Sequence, residues 1–128
     1  MFCILTKSGD LFSDLEKMAM FVAALAHDVD HRAYSNQFLQ KTKHPLSRLY
    51  PTSTMEHHHL ETALSIFKAP NCDILHCFHD DPSSLSKALE VIRTSVLATD
   101  LAYYFTNRVK IVEGFVKKSF DIKTPEWR

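Results

Sequence analysis

The sequence has little glycine, no excess of charge and no long apolar run. Only Gly9 and Gly114 are glycines among its 128 residues, and β-branched residues are scattered without alternation, which favours helices over strands. Basic and acidic residues number 15 each, so no net field would attract nucleic acid or an anionic membrane surface. The longest apolar stretch, residues 18–26, is far shorter than the roughly 20 residues that a membrane-spanning helix needs.

Cysteine is also scarce. Cys3, Cys72 and Cys77 are odd in number and form no Cys-x-x-Cys pair, which indicates free thiols in a reducing compartment. No basic segment or cleavage site follows Met1, so we expect no secretory signal. The hydrophobic content of 45% is high enough for a packed core and argues against disorder. We therefore expect a cytoplasmic chain of one domain, or part of one, without a transmembrane segment.

Helical spacing of apolar residues predicts an all-α, multi-helix bundle with six or so helices of unequal length. Ser13 with Glu16, and Ser53 with Glu56, have the spacing of capping boxes. Ser35 can cap the helix that follows it, and Pro82 follows an aspartate that can cap a helix. The helical segments predicted in this way are residues 2–7, 14–31, 36–43, 45–50, 54–67, 71–78, 82–105 and 108–118.

Histidine is the residue in excess: there are eight, and six of them lie between residues 27 and 59. His27-Asp28-Val29-Asp30-His31 closes the alanine-rich helix, so His27 and His31 are expected to share a face. Asp28 is about 100° around the helix axis from His27, close enough for both side chains to line one pocket if the helix end points into it. Imidazole and carboxylate together suit zinc, manganese or magnesium. The alternative is a solvated helix end. A metalloprotease with Asp28 as its base is disfavoured, because aspartate is shorter than glutamate and the pair ends its helix.

Glu56-His57-His58-His59 opens the helix after Pro51. Three successive helical residues span about 200°, so the three histidines cannot all bind one ion, whereas Glu56 and His59 share a face. Two interpretations follow. Glu56, together with one of the histidines, orients a metal ligand or a catalytic histidine, or else Glu56 is a capping glutamate followed by solvent-facing histidines.

Two further groups of polar residues are candidate sites. Thr99 and Asp100 are expected inside the predicted helix 82–105, where a structural hydrogen bond from Asp100 to another helix is favoured over a contact with metal-bound water. His76 and His79, with the aspartates that follow, are interpreted as an exposed polar turn.

The segment HDVDHRAYSN resembles the signature of the class I 3′,5′-cyclic nucleotide phosphodiesterases, which belong to the HD-type metal hydrolases. That signature has His-Asp, a free pair, His, a small residue and Asn, here His27, Asp28, His31, Ala33 and Asn36, with Ala33 where relatives often have glycine. The resemblance continues through HPLSRLY, PTSTMEHHHLE and LATDLAYYFTNR, so it covers nearly the whole chain. The HPL, MEHHH and ATDLA segments are most similar to the branch whose members carry GAF regulatory domains.

The resemblance implies metal ligation by His27 and Asp28, with Asp28 bridging two divalent ions, Zn²⁺ and Mg²⁺ (or Mn²⁺). It implies that His31 and Glu56 are catalytic residues near the attacking water. It also implies that Asn36 contacts the residues of the site and that Thr99 contacts metal-bound water. The implied reaction is hydrolysis of cyclic AMP, cyclic GMP or both to 5′-monophosphates by a hydroxide that the two metals activate.

The same resemblance implies that residues 1–128 are a partial catalytic domain, with its N- and C-terminal portions missing. An upstream His-Asn-x-x-His element with the general acid, the downstream metal aspartate and the base-binding residues have no counterpart here, so this segment alone is expected to be inactive. Any dimer would form through regions outside it. The alternatives are a non-catalytic helical interaction module with a vestigial metal site and another HD-type metal phosphohydrolase.

Overall fold

A computed structural model describes residues 2–117, and within that range it contains seven α-helices and no strand, which confirms the all-α prediction. The side chain of Cys3 and the predicted helix end at Lys118 lie outside the described part. The helices are α1 (Phe2–Lys7), α2 (Asp14–Ala26), α3 (Asn36–Lys41), α4 (Pro45–Leu49), α5 (Thr54–Phe67), α6 (Pro82–Leu97) and α7 (Leu101–Val116), with 3-10 turns at Gly9–Leu11 and His76–Phe78.

Local signals set the start of three helices as predicted. The Ser13 hydroxyl accepts the backbone N–H of Glu16, and the Glu16 carboxylate accepts the backbone N–H of Ser13 at 2.8 Å, which completes a capping box on α2. Ser35 caps α3, and Asp81 caps α6 ahead of Pro82 at the first helical position. Each cap satisfies backbone N–H groups that the first turn of a helix leaves without partners.

Helix α2 packs along α6, and α5 lies against both. The face of α2 toward this contact carries Ala19 and Ala23, which are at most 2% exposed and let the two helices approach closely. Opposite them, α6 buries Ile92 completely, and α5 contributes Leu60. This packing holds the carboxyl end of α2 beside the amino-terminal half of α5, so His27 and Asp28 lie near residues 56–59.

Four predicted helices were wrong in extent. Helix α2 ends at Ala26 and not near His31, and the predicted helix 71–78 is reduced to a 3-10 turn. The predicted helix 82–105 is interrupted by a break at Ala98–Asp100, which separates α6 from α7. In that break Asp100 does not continue α6, because its side chain accepts the backbone N–H of Ala102 and so caps a new helix. The predicted helix 108–118 begins earlier, at Leu101, because α7 runs unbroken to Val116.

Candidate metal centre and cavity

Helix α2 ends immediately before the adjacent pair His27 and Asp28. The carbonyl of Ala24, which the backbone N–H of Asp28 would take in a continuing helix, accepts a hydrogen bond from Nδ1 of His27 at 2.8 Å. Beyond it the backbone forms tight turns, and Asp30 and Ala33 adopt left-handed φ angles of 58° and 59°. The prediction that His27 and His31 share a helical face was therefore wrong: a turn brings them to the same cavity.

His27 and Asp28 converge as the sequence predicted. Nδ1 of His27 is the donor to a carbonyl, so Nε2 carries the lone pair, and this atom lies 3.3 Å from Oδ2 of Asp28. Two hydrogen-bond acceptors at this distance repel each other unless a cation lies between or beside them. Either a second proton on the imidazole or a shared metal ion supplies this positive charge. Imidazole nitrogen with carboxylate oxygen is a ligand set that zinc and manganese accept.

His59, for which the sequence predicted no contact with Asp28, adds a second imidazole to this carboxylate. Its side chain is almost fully buried, its Nδ1 donates to the carbonyl of Val29 at 2.7 Å, and its Nε2 lies 3.9 Å from Oδ1 of Asp28. Asp28 thus has an imidazole lone pair near each of its oxygens. Spacing could have found His59, because it lies four residues after Met55 and four before Ala63, on the buried stripe of α5.

His31 lies beside this pair but has a different hydrogen-bonding state. Its Nδ1 accepts the backbone N–H of Ala33 at 3.0 Å, so in the neutral ring Nε2 carries the proton and is a donor. The ring stacks on His59 with centroids 5.5 Å apart. Asp28, His31 and His59 each offer a ligand atom, and these atoms lie within 4.8 Å of one another. The tautomer favours His31 as a donor into the cavity over a role as a metal ligand.

Glu56 does not form the predicted capping box. Ser53 has a left-handed backbone and caps nothing through its side chain, so the capping interpretation of Ser53 and Glu56 was wrong. Instead the amide of Asn36 donates to Oε2 of Glu56 at 2.8 Å and accepts the backbone N–H of Met55 at 2.8 Å. The carboxylate of Glu56 is therefore held from α3 and lines the cavity.

Thr99 and Asp100 lie in the break between α6 and α7. The Thr99 hydroxyl donates to the carbonyl of Val96 at 2.7 Å, so its oxygen lone pairs remain available at the cavity wall. Asp100 is almost fully buried and accepts the hydroxyl of Ser53 at 2.6 Å. The structural hydrogen bond expected of Asp100 is confirmed, although the prediction that both residues lie inside a long helix was wrong.

These groups surround one open cavity of about 580 Å³, large enough for a small-molecule ligand. It contains every residue that the sequence analysis assigned to the site. The lining residues are His27, Asp28, His31, Tyr34, Ser35, Asn36, Gln37, Met55, Glu56, His59, Thr99, Asp100, Leu101 and Ala102.

The two histidines next to His59 are engaged and do not simply face solvent. His58 lies 2.8 Å through Nε2 from Oδ2 of Asp30, which ties the turn after α2 to α5. His57 stacks on Tyr50 at 4.9 Å, with its Nδ1 3.0 Å from the carbonyl of Ser53. Both side chains fix the surroundings of the cavity, while neither lines it.

The clamp on Asp30 has a titration that can be measured. Two hydrogen bonds from Arg32, at 2.9 and 3.0 Å, and the contact with His58 hold the pKa of Asp30 below its ordinary value. A lowered folded-state pKa contributes stability above the unfolded pKa, and that contribution is lost as pH falls through the folded value. We expect Arg32→Ala to raise the Asp30 midpoint in a carbon-13 NMR titration, whereas Arg93→Ala on α6 leaves it unchanged. A midpoint unaltered by Arg32→Ala would contradict the clamp.

Comparison with known proteins identifies the family to which the chain belongs. A sequence model of the family described as 3′5′-cyclic nucleotide phosphodiesterase matches residues 1–126. The chain belongs to this family. Membership in this family makes a divalent metal ion the expected ligand of the side chains around Asp28. Those side chains are His27 at 3.3 Å, His31 and His59, and they can accept such a cation.

Several curated proteins are similar to this phosphodiesterase-family chain. A probable 3′,5′-cyclic phosphodiesterase of Caenorhabditis elegans is 36% identical over 128 residues, all of this chain and 17% of the relative. A dual 3′,5′-cyclic-AMP and -GMP phosphodiesterase of Drosophila melanogaster is 39% identical over 116 residues, 89% of this chain and 8% of the relative. A cGMP-specific 3′,5′-cyclic phosphodiesterase of Drosophila virilis is 37% identical over 124 residues, 94% of this chain and 14% of the relative.

The chain therefore spans less than a fifth of the length of each of these relatives. Among the described residues, none of the helices is both long and apolar enough to cross a membrane.

Proposed function

We propose that residues 1–128 form part of the catalytic domain of a 3′,5′-cyclic nucleotide phosphodiesterase, whose other portions lie in sequence outside this chain. The complete protein would hydrolyse cyclic AMP, cyclic GMP or both to 5′-monophosphates. The observation that carries the proposal is the carboxylate of Asp28, with His27 Nε2 at 3.3 Å and His59 Nε2 at 3.9 Å, on the wall of a cavity in a chain of this family.

His27 and Asp28 would hold the metal, with His59 beside Asp28 and fixed by the carbonyl of Val29. The chemistry supplied by two divalent cations, zinc with magnesium or manganese, is positive charge for the phosphodiester and a more acidic water. The buried position of His59 and the hydrogen bond from His27 to Ala24 limit the motion of both rings, so that their lone pairs are pre-organised for a cation.

The remaining residues would act on the attacking water and the phosphate. Hydrolysis forms a bond between a water oxygen and phosphorus and breaks the bond between phosphorus and the 3′ oxygen. One proton of the water is released, and the 3′ oxygen takes up one proton. We propose that Glu56 accepts a hydrogen bond from the attacking water and that Nε2–H of His31 donates into the same region. Thr99 would accept a hydrogen bond from water at the metal through the lone pairs of its hydroxyl oxygen. The proton for the 3′ oxygen is proposed to come from a histidine outside this chain.

We also propose the cytoplasm as the compartment. Cys72 and Cys77 are free thiols exposed on the surface, and such thiols persist where glutathione and thioredoxin keep cysteine reduced.

The function is tested by assaying the full-length protein that carries this chain with cyclic AMP and cyclic GMP. We expect 5′-monophosphate as product, loss of activity after dialysis against a chelator, and recovery on addition of Zn²⁺ with Mg²⁺ or Mn²⁺. Hydrolysis that survives chelation would refute the metal assignment. A protein that binds cyclic nucleotide and returns it unchanged would favour the non-catalytic helical module.

A further inference from the structure

Helix α5 begins without a cap from its own sequence. Ser53, at the capping position, has φ 45° and ψ 47°, and its hydroxyl donates to Asp100, 47 residues away, at 2.6 Å. The first N–H groups of a helix need acceptors, and buried ones left unpaired are costly. Here the acceptor for Met55, 3% exposed, is Oδ1 of Asn36 on α3, at 2.8 Å.

The other half of the same amide holds Glu56. Nδ2 of Asn36 donates to Oε2 of Glu56 at 2.8 Å. The one side chain of Asn36 thus accepts the backbone N–H of Met55 and donates to the carboxylate of the next residue, Glu56. A carboxamide can do both at once, whereas a carboxylate only accepts. The second bond fixes the rotamer of Glu56, because its carboxylate is tied to α3 while its backbone belongs to α5.

We propose that Asn36 is a positioning residue for Glu56, which caps α5 through its carbonyl oxygen and orients the Glu56 carboxylate at the cavity through its amide N–H. The inference rests on the proposed function for the role of Glu56, but the two hydrogen bonds that carry it do not. Asn36 itself acts through Glu56 and needs no contact with substrate.

The substitution Asn36→Asp separates the two bonds. Aspartate keeps an acceptor for the N–H of Met55 but removes the donor and places a second carboxylate against Glu56. Adding Glu56→Gln to this variant restores a donor–acceptor pair with the two groups exchanged, since the glutamine amide can donate to the aspartate. The matched control is Asn71→Asp, the same chemical change at an exposed loop residue with no part in the cavity.

In the full-length protein we expect Asn36→Asp to lower the melting temperature by about 3 °C or more relative to Asn71→Asp, because two carboxylates are forced together. The double variant with Glu56→Gln should recover most of that loss. Amide exchange at the start of α5 should stay slow in Asn36→Asp and become faster in Asn36→Ala, which removes the acceptor as well.

Kinetics separate positioning from stability. Well below its melting temperature, Asn36→Asp should lower kcat by about tenfold while KM stays within about twofold. In the Glu56→Gln background Asn36→Asp should cost no further activity, because a residue that acts through Glu56 has nothing left to orient. Parent-like kcat in Asn36→Asp, or losses that multiply in the double variant, would overturn the proposal.

Failure of the proposed function and failure of the positioning proposal for Asn36 give different experimental results. A full-length protein that hydrolyses neither nucleotide refutes the proposed function, and the melting-temperature cycle between Asn36 and Glu56 still decides the contact. If Glu56→Gln fails to recover the melting temperature of Asn36→Asp, the positioning bond is refuted, even in an active enzyme.

Discussion

Replacing Asp28 by asparagine is expected to lower kcat of the complete protein by at least about a hundredfold, because it removes the carboxylate that we propose holds the metal, and such a cation contributes several kcal/mol to the transition state. Asparagine keeps the size of the side chain, and its amide offers a weaker oxygen ligand. Binding of Zn²⁺ or Mn²⁺, measured by calorimetry, should weaken in parallel. The matched control is Asp80→Asn in the exposed turn before α6, which should keep activity within about twofold of the parent.

The metal-free stability of the same variant gives an independent result. Asp28 lies between two imidazole lone pairs, and its carboxylate cannot donate to either. An asparagine amide can donate to one of them, so the melting temperature without metal should stay the same or rise. If the variant is less stable than the parent without metal, yet binds metal and catalyses as the parent does, Asp28 is not part of the metal site.

The second large effect is expected from Glu56→Gln, which keeps shape and the hydrogen bond from Asn36 but removes the negative charge. We predict that kcat falls by about tenfold or more with a nearly unchanged melting temperature. Activity within about twofold of the parent would return Glu56 to a structural role. The alanine variants of His57 and His58 should each be milder, because these rings bind Tyr50 and Asp30 outside the cavity.

Much of the fold could be predicted because its signals are local. Ser13 and Glu16 cap α2 across one turn, and Pro82 stands at the first position of α6 behind its capping aspartate. The buried stripe of α5 follows the helical period through Leu60 and Ala63. In each case the interacting groups are within four residues of each other, so the sequence order itself places them together.

Helix ends near the site were predicted poorly, because side chains there compete with the backbone ladder. His27 takes the carbonyl that would continue α2, and Asp100 caps α7 where the apolar spacing predicted one long helix. Apolar periodicity does not register such competition. The same limit explains the false capping box at Ser53, whose hydroxyl is taken by a distant carboxylate.

By itself the sequence determined the all-α class, the caps of α2, α3 and α6, and the convergence of His27 with Asp28, since adjacent or nearby residues share a local geometry. The tertiary structure decided that His59 reaches Asp28 from another helix and that Asn36 both caps α5 and holds Glu56. Those contacts join groups 19 to 31 residues apart, and they form only when packing of α2, α5 and α6 has fixed the helix ends beside one another. The physical reason is that hydrogen-bond partners at such separation are selected by burial and helix packing, which no local spacing specifies.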